Sequence, residues 1–242
     1  MSPTTIPGNL ILKNGWIITG REAGPADPYI GNVSLLLHGD GTNGSTTIVD
    51  SSPSPKTVTA VGNAQISTAI VDPFGRVDAG VVELGPNGYA TAPAGSSFSF
   101  GTDDFTIETW VYRVTADSNN NAIWSNGGSQ SGSFGFYILN NRLRADFYLG
   151  AAFNGSSTLG LNQWYHIAFT RKGDTFRWFL NGTVDHQSTP GPQNNTLNLC
   201  ELGRVWQGTT NQLIYIDDFR ITKGIARYTA NFTPPTAPFP DF

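Results

Sequence analysis

The chain has 242 residues and a formal net charge of −4, and only 13% of its residues are charged. A weakly acidic chain of this kind argues against duplex nucleic acid and anionic membranes as partners. The single cysteine excludes an intrachain disulfide framework, whereas 28 glycines, 15 prolines and 12% aromatic residues are typical of many short strands joined by tight turns.

Residues 1–31 differ from the rest of the chain because they contain four prolines and one short apolar run, LILKNGWII. We predict an N-terminal arm at 1–31 and one folded domain at 32–242. The arm is interpreted either as partly ordered chain or as an anchor that docks on a larger assembly. The sequence predicts no Sec signal peptide, and no apolar run approaches the ~20 residues needed to span a bilayer.

From Val33 onward, apolar and polar residues mostly alternate, which indicates β-strands separated by Gly, Pro, Asn and Ser. The Asn181–Gly182 pair between two extended runs predicts a type I′ hairpin. No segment shows a convincing helical period, so we predict two packed antiparallel sheets. The predicted strands are 33–38, 46–50, 57–61, 88–92, 105–113, 134–139, 142–149, 164–171, 213–221 and two strands within 175–188.

Alternation also assigns the side chains of the longer strands to two faces. One row of each strand is apolar and is predicted to face the core. The other row mixes aromatic with charged or hydrogen-bonding groups, a composition that suits sugars, a protein interface, or a solvated face with cross-strand ion pairs. If the strands are neighbours, these rows form one concave sheet face with the candidate ligand-binding residues Glu108, Trp110, Arg144, Tyr148 and His166.

The runs SLLLHGDG, DFTIETWVYR, WYHIAFTRKGDTFRWFLNGT and IDDFRITKGIARY follow one another in the order of a laminin-G-like module. Over about residues 33–230, the chain resembles this module of the concanavalin A-like lectin/glucanase superfamily. The C-terminal run IDDFRITKGIARYTANFTPPTAPF resembles laminin-G-like domains of tailed-phage structural proteins. The resemblance implies an all-β, two-sheet antiparallel jelly-roll sandwich, a fold that hosts lectins, adhesion modules, hydrolases and spacers.

Hydrolases of this superfamily carry paired carboxylates in a Glu-x-Asp-x-Glu run, so that alternate residues reach one face of a strand. The glutamates of this chain do not form that run, and we predict no catalytic residue. Only a pair brought together in space, such as Glu108 with Asp146, would keep a hydrolase or lyase as a third alternative. The four glutamates are Glu22, Glu83, Glu108 and Glu201.

Two adjacent acids, Asp217 and Asp218, lie in the last predicted strand. Strand alternation predicts that they face opposite ways, so that at most one is buried. Several members of the resembled superfamily hold a structural calcium between the N-terminal strand region and the last strand, which makes Asp40 and Asp217 the candidate metal ligands. The alternatives are exposed acids, or Asp218 paired with Arg220 or another cation.

The function favoured by these features is a non-enzymatic virion surface protein, a decoration or fibre component of a tailed phage with weak glycan binding. The alternative is a carbohydrate-binding module of a cellular adhesion protein. Expected partners are other virion proteins, contacted through residues 1–31, and cell-surface glycans; homo-oligomerisation stays open. Nucleic acid and membrane insertion are not expected, and the expected location is the virion surface, with an extracellular location as the alternative.

Overall fold

The computed structural model describes residues 11–13, 16–18, 26–77, 79–115, 121–148, 150, 152–205, 209–210 and 213–241. Most of the predicted arm therefore lies outside the described residues. The described residues contain two single-turn 3₁₀ helices, Ile30–Asn32 and Ser96–Phe98. No helix in the described part of the chain is long and apolar enough to cross a membrane. The strands are β1 (Ile11–Lys13), β2 (Trp16–Ile18), β3 (Val33–Leu37), β4 (Thr47–Ile48), β5 (Val58–Val61), β6 (Gln65–Ser67), β7 (Val81–Leu84), β8 (Tyr89–Ala92), β9 (Phe105–Arg113), β10 (Asn121–Ser125), β11 (Phe134–Leu139), β12 (Arg142–Phe147), β13 (Ala152–Asn154), β14 (Trp164–Lys172), β15 (Thr175–Leu180), β16 (Thr183–Ser188), β17 (Cys200–Leu202), β18 (Arg204–Val205), β19 (Thr209–Thr210) and β20 (Ile214–Lys223).

Two antiparallel sheets of eight strands each form a sandwich. The first sheet has the order β13-β12-β11-β10-β17-β8-β5-β4. The second sheet has the order β16-β15-β14-β9-β20-β7-β6, and β3 also pairs with β20. The predicted all-β, two-sheet jelly-roll architecture is confirmed.

The core lies between the two sheets and is built from the apolar rows that alternation predicts. Ile107 of β9, Phe147 of β12 and Trp178 of β15 all belong to it. Its centre is aromatic, since Phe134 stacks on Phe147 at 5.3 Å and Phe169 lies 4.3 Å from Trp178, measured between ring centroids. Burial of each such side chain stabilises the fold by about 1.5–3 kcal/mol, so this core fixes which rows face outward.

The predicted Asn181–Gly182 hairpin joins β15 to β16. Both residues have positive φ, 49° and 75°, as a type I′ turn requires. Glycine is also needed because a Cβ at Gly182 would lie 2.0 Å from the carbonyl oxygen of Phe232. The turn therefore joins the two strands and also leaves room for the C-terminal chain to pack against it.

Strand β10 is not predicted by alternation, because apolar side chains occupy both of its faces. Trp124 packs in the core, whereas Ala122 packs on the outer side against Tyr137 and Val205. The hairpin of β18 and β19 supplies Val205 and lies over this part of the first sheet. A register shift between Ala122 and Trp124 further disturbs the period of two.

The C-terminal tail, residues 224–241, crosses the outer face of the second sheet. The hydroxyl groups of Thr106 and Thr170 donate hydrogen bonds of 3.0 and 3.1 Å to the tail carbonyls of Ile225 and Tyr228. The Phe232 amide donates to the carbonyl of Gly182 at 2.8 Å. The tail therefore covers a face that the strand pattern alone would leave open to solvent.

Candidate functional site

The five candidate ligand-binding residues do not share one face, and that prediction is wrong. Glu108, Trp110 and His166 point outward from the second sheet, where β9 pairs with β14 and His166 lies opposite Trp110. Arg144 lies in β12 of the first sheet and Tyr148 directly follows that strand. All five do point away from the core, but the core separates the two groups.

Glu108 and His166 are fully buried beneath the C-terminal tail. The Glu108 carboxylate accepts hydrogen bonds from Arg220 Nε at 3.0 Å, from Arg220 Nη2 at 2.7 Å and from the Tyr228 hydroxyl at 2.8 Å. Burial alone would raise the pKa of Glu108, but the charges of Arg220 and other cations lower it to about 2. Glu108 is therefore a buried structural anion and does not reach a ligand.

Asp27 completes this buried network from the N-terminal side. Its carboxylate pairs with Arg220 at 3.1 Å and with Arg227 at 2.6 Å. Burial raises the pKa of Asp27, but hydrogen bonds from Arg227 and the Tyr29 amide, with the charges of both arginines, lower it overall. Sequence analysis missed Asp27 because it lies within the predicted arm, whose composition gives no strand pattern.

Trp110 is half-buried at the edge of the covered region. Its ring lies edge-on to His166 at 5.3 Å and to Phe74 at 6.0 Å. Beyond it, Tyr112 and Trp164 are also half-buried, and the Trp164 indole donates to the carbonyl of Val71 at 2.9 Å. Trp110, Tyr112 and Trp164 therefore form a partly accessible aromatic strip beside the tail and the loop before β7.

Arg144 and Tyr148 line a cavity of about 300 Å³ at the outer face of the first sheet, called here the Arg144 cavity. Arg144 Nε lies 2.8 Å from Asp146 Oδ1 and donates to the Tyr137 hydroxyl at 3.0 Å. Arg144 Nη1 donates to Asn154 Oδ1 at 3.0 Å. The cavity is lined by Ser129, Arg144, Asp146, Phe147, Tyr148, Gly150 and Ala152.

Hydrogen bonds within the protein hold the polar groups of the Arg144 cavity in place. Tyr137 donates a short hydrogen bond to Asp146, and burial together with this carboxylate raises the pKa of the Tyr137 phenol. Because Asp146 neutralises Arg144, the site presents fixed donors and acceptors without a strong net charge. This arrangement can recognise hydroxyl groups beside the ring of Tyr148.

The carboxylate pair proposed in space, Glu108 with Asp146, does not form. Asp146 lies in β12 of the first sheet, and Glu108 lies in β9 of the second. Each is also engaged, Asp146 with Arg144 and Glu108 with Arg220. The sequence pattern does not predict this separation, because the order of strands in a sheet depends on pairing between segments that are far apart in the sequence.

Asp217 and Asp218 are both fully buried, so the prediction that at most one of them is buried is wrong. Asp218 has a φ of 47°, and the pairing of β20 with β9 shifts register between Asp217 and Arg220. This β-bulge lets consecutive carboxylates avoid solvent together. Asp218 also does not pair with Arg220: it lies 2.5 Å from His38 Nδ1 and accepts the Phe239 amide at 2.6 Å.

The predicted metal ligands Asp40 and Asp217 lie on either side of a guanidinium. Arg76 Nη2 is 3.1 Å from Asp40 Oδ1 and 3.9 Å from Asp217 Oδ2, and Arg76 Nε donates a short hydrogen bond to Asp72. We call these four residues the Arg76 site. It adjoins a cavity of about 590 Å³ lined by Asp40, Gly41, Thr42, Asn43, Thr68, Arg76 and Ala79.

The acids of the Arg76 site are arranged around the Arg76 guanidinium. Within the described residues, no three His, Cys, Asp or Glu side chains are grouped to hold a metal. Burial and the neighbouring Asp218 raise the pKa of Asp217 to about 9, with Arg76 acting in the opposite direction. Calcium binding by Asp40 and Asp217 stays a prediction.

A laminin-G family profile, described as the concanavalin A-like lectin/glucanases superfamily, matches residues 84–226. No curated protein matches the chain in sequence. Among solved structures, the chain is similar to the binding domain of Paraclostridial Mosquitocidal Protein 1, with a TM-score of 0.63 and 17% identity over 82% of this chain and 50% of that one. It is also similar to the botulinum neurotoxin serotype G binding domain, with a TM-score of 0.61 and 18% identity over 81% of this chain and 49% of that one.

A third similar structure is botulinum neurotoxin type C, which interacts with two ganglioside molecules. The TM-score is 0.59 and the identity 16%, over 81% of this chain and 49% of that one. The chain thus spans about half the length of these solved structures. At this level of identity, the likeness shows a shared fold.

Proposed function

The chain belongs to the concanavalin A-like lectin/glucanases superfamily, and on this basis we propose that it is a non-catalytic, lectin-like module that binds a glycan. The observation that carries this proposal is the Arg144 cavity, where fixed polar groups stand beside a tyrosine ring. A sugar needs both features, because its ring has an apolar face for stacking and hydroxyl groups for hydrogen bonding. Of the predicted ligand-binding residues, Arg144 and Tyr148 carry this role.

The donors and acceptors of the cavity suit a sugar with adjacent hydroxyl groups. A guanidinium has five N–H donors, more than the three acceptors named above, so donors remain for a ligand. The Asp146 carboxylate offers acceptor capacity beside them. The larger cavity at the Arg76 site suits a sugar less well, because none of its described lining residues carries an aromatic ring.

The similar toxin structures support glycans as the ligand class. Botulinum neurotoxin type C interacts with two ganglioside molecules, and the binding domain of neurotoxin DC has been solved in a complex with SialylT. The comparison therefore supports the ligand class, while the Arg144 cavity supports the position.

The test is a glycan array with the whole chain, followed by affinity measurements on variants. Arg144→Ala and Tyr148→Ala should each weaken binding by about tenfold or more, as expected for residues at the centre of a site. Arg142→Ala is the matched control, since this exposed arginine lies on the same strand but bonds to Gly155 and Ser156 outside the cavity. If Trp110→Ala abolishes binding while Arg144→Ala does not, the site lies on the second sheet instead.

We further propose that the module is a surface protein of a tailed-phage particle, as a decoration or fibre component. The C-terminal run from Ile216 to Phe239 supports this, because it resembles the ends of laminin-G-like domains in phage structural proteins. A carbohydrate-binding module of a cellular adhesion protein is the alternative. Immunogold labelling of intact purified particles distinguishes the two, since a virion surface protein is labelled on the particle and an adhesion protein is not.

A further inference from the structure

Two lysines line one cavity of about 470 Å³ that is separate from the Arg144 cavity. We call it the Lys56 cavity. The whole sequence contains only four lysines, so Lys56 and Lys223 together concentrate positive charge at one place on a weakly acidic chain. Four serines also line this cavity, Ser34, Ser54, Ser96 and Ser97.

Uncharged backbone oxygens hold both ammonium groups in place. Lys56 Nζ donates to the carbonyls of Ser34 at 2.6 Å and Ser54 at 2.9 Å. Lys223 Nζ donates to the carbonyl of Ser96 at 2.8 Å. Because an ammonium group has three N–H donors, one donor remains on Lys56 and two remain on Lys223.

The positive charge of the Lys56 cavity is not cancelled within the protein. Among the described residues, neither Lys56 nor Lys223 forms an ion pair, whereas Lys172 pairs with Asp104 at 2.7 Å. Asp103, an exposed residue, is the one acidic side chain among the described residues that line the cavity. Two cations against one carboxylate leave a net attraction for an anion.

We propose that the Lys56 cavity binds a tetrahedral oxyanion, sulfate or phosphate, as a free ion or as a substituent of a sugar. Such an anion brings several acceptor oxygens, which match the remaining ammonium donors and the serine hydroxyl groups. The carbonyls already restrain both lysine side chains, so little side-chain freedom is lost on binding. The site does not depend on glycan binding at the Arg144 cavity.

Thermal unfolding of the full chain in about 20 mM sodium sulfate, and in sodium chloride of equal ionic strength, tests this proposal. Sulfate should raise the wild-type melting temperature by about 3 °C or more relative to chloride, the shift expected when a ligand is present at about ten times its Kd. Sulfate also stabilises proteins generally because it is excluded from their surfaces, so the shift is compared between variants. Lys56→Gln and Lys223→Gln should each lose at least half of it, whereas Lys223→Arg keeps the charge and should keep most of it.

Lys172→Gln is the matched control, because this lysine is paired with Asp104 outside the cavity, and it should keep the full shift. Asp103→Asn should enlarge the shift, because it removes the opposing charge. Arg144→Ala should leave the shift unchanged, so the oxyanion site and the glycan site can fail independently. Equal shifts in the wild type, Lys56→Gln and Lys223→Gln would be a general salt effect and would overturn the proposal.

Calorimetric titration with sulfate, galactose 6-sulfate and galactose then identifies the source of the anion. A sulfated sugar that binds about threefold or more tighter than sulfate, and loses this affinity in Lys223→Gln, supports a sugar substituent as the ligand. Equal affinities for sulfate and the sulfated sugar, both lost in Lys223→Gln, support the free ion. Binding of the sulfated sugar that is no tighter than that of galactose, without detectable binding of sulfate, overturns the oxyanion site.

Discussion

Glu108 is a fully buried carboxylate in the middle of the second sheet, held in its ionised form by arginine. Burial would raise its pKa, but Arg220 and further cations lower it from 4.5 to about 2. A carboxyl with a lower pKa in the folded than in the unfolded state stabilises the fold at every pH above the unfolded value. Its contribution is therefore complete above about pH 4.5 and is lost as the pH falls towards 2.

Replacement of Glu108 by glutamine should lower the free energy of unfolding at pH 7 by about 3–5 kcal/mol, because it breaks a buried ion pair and leaves Arg220 undercompensated. The loss of stability between pH 5 and pH 3 should also be shallower than in the wild type. Urea unfolding at several pH values measures both effects. Glu83→Gln is the control, since this half-buried side chain is held only by Gln65 at 3.4 Å in the described contacts. Equal costs for the two variants would contradict the prediction.

At the scale of the element, the C-terminal tail covers the outer face of the second sheet without adding a strand to it. Phe239 packs with Val33 and Leu36, and the guanidinium carbon of Arg220 lies 3.5 Å from its ring centroid. The Phe239 amide donates a hydrogen bond to the Asp218 carboxylate. The left-handed backbone conformation of Asp218 turns that carboxylate towards the tail. The bulge in β20 and the docking of the tail are therefore one feature of the fold.

Phe239→Ala should accordingly cost about 3–5 kcal/mol, the usual range for truncating a buried phenylalanine. It should also uncover Arg220 and so weaken the buried charge network. Chemical unfolding of the full chain measures the cost, with Thr236→Ala, an exposed position in the same tail, as the control. A Phe239→Ala variant as stable as Thr236→Ala would show that the tail does not stabilise the sheet.

The strand pattern predicts the elements well because alternation is local: Phe147 faces the core and Arg144 faces outward, as expected. The strand pattern fails where the structure depends on residues that are distant in the sequence. The neighbours of β9 and β12 are set by crossovers, so Glu108 and Arg144 occupy different sheets. An aspartate in a left-handed conformation gives no signal in the sequence, so the bulge at Asp218 is also missed.

At the scale of the whole molecule, Asp27 marks the point at which the N-terminal residues join the folded module. Although it lies within the predicted arm, it is buried and pairs with both Arg220 and Arg227. Ile30, in the same segment, packs against the cluster that contains Phe239. A test of the arm as an anchor must therefore separate residues 1–25 from this segment.

Deletion of residues 1–25 should change the melting temperature by less than about 2 °C, whereas deletion of 1–31 should lower it by about 6 °C or more. The difference follows from Asp27, because breaking a buried ion pair costs about 3–5 kcal/mol. Asp27→Asn in the full chain should reproduce most of the loss. If residues 1–25 are the anchor, their deletion should also abolish incorporation into the parent particle while the module stays folded. Retained incorporation of a folded 1–25 deletion would place the attachment surface on the sandwich itself.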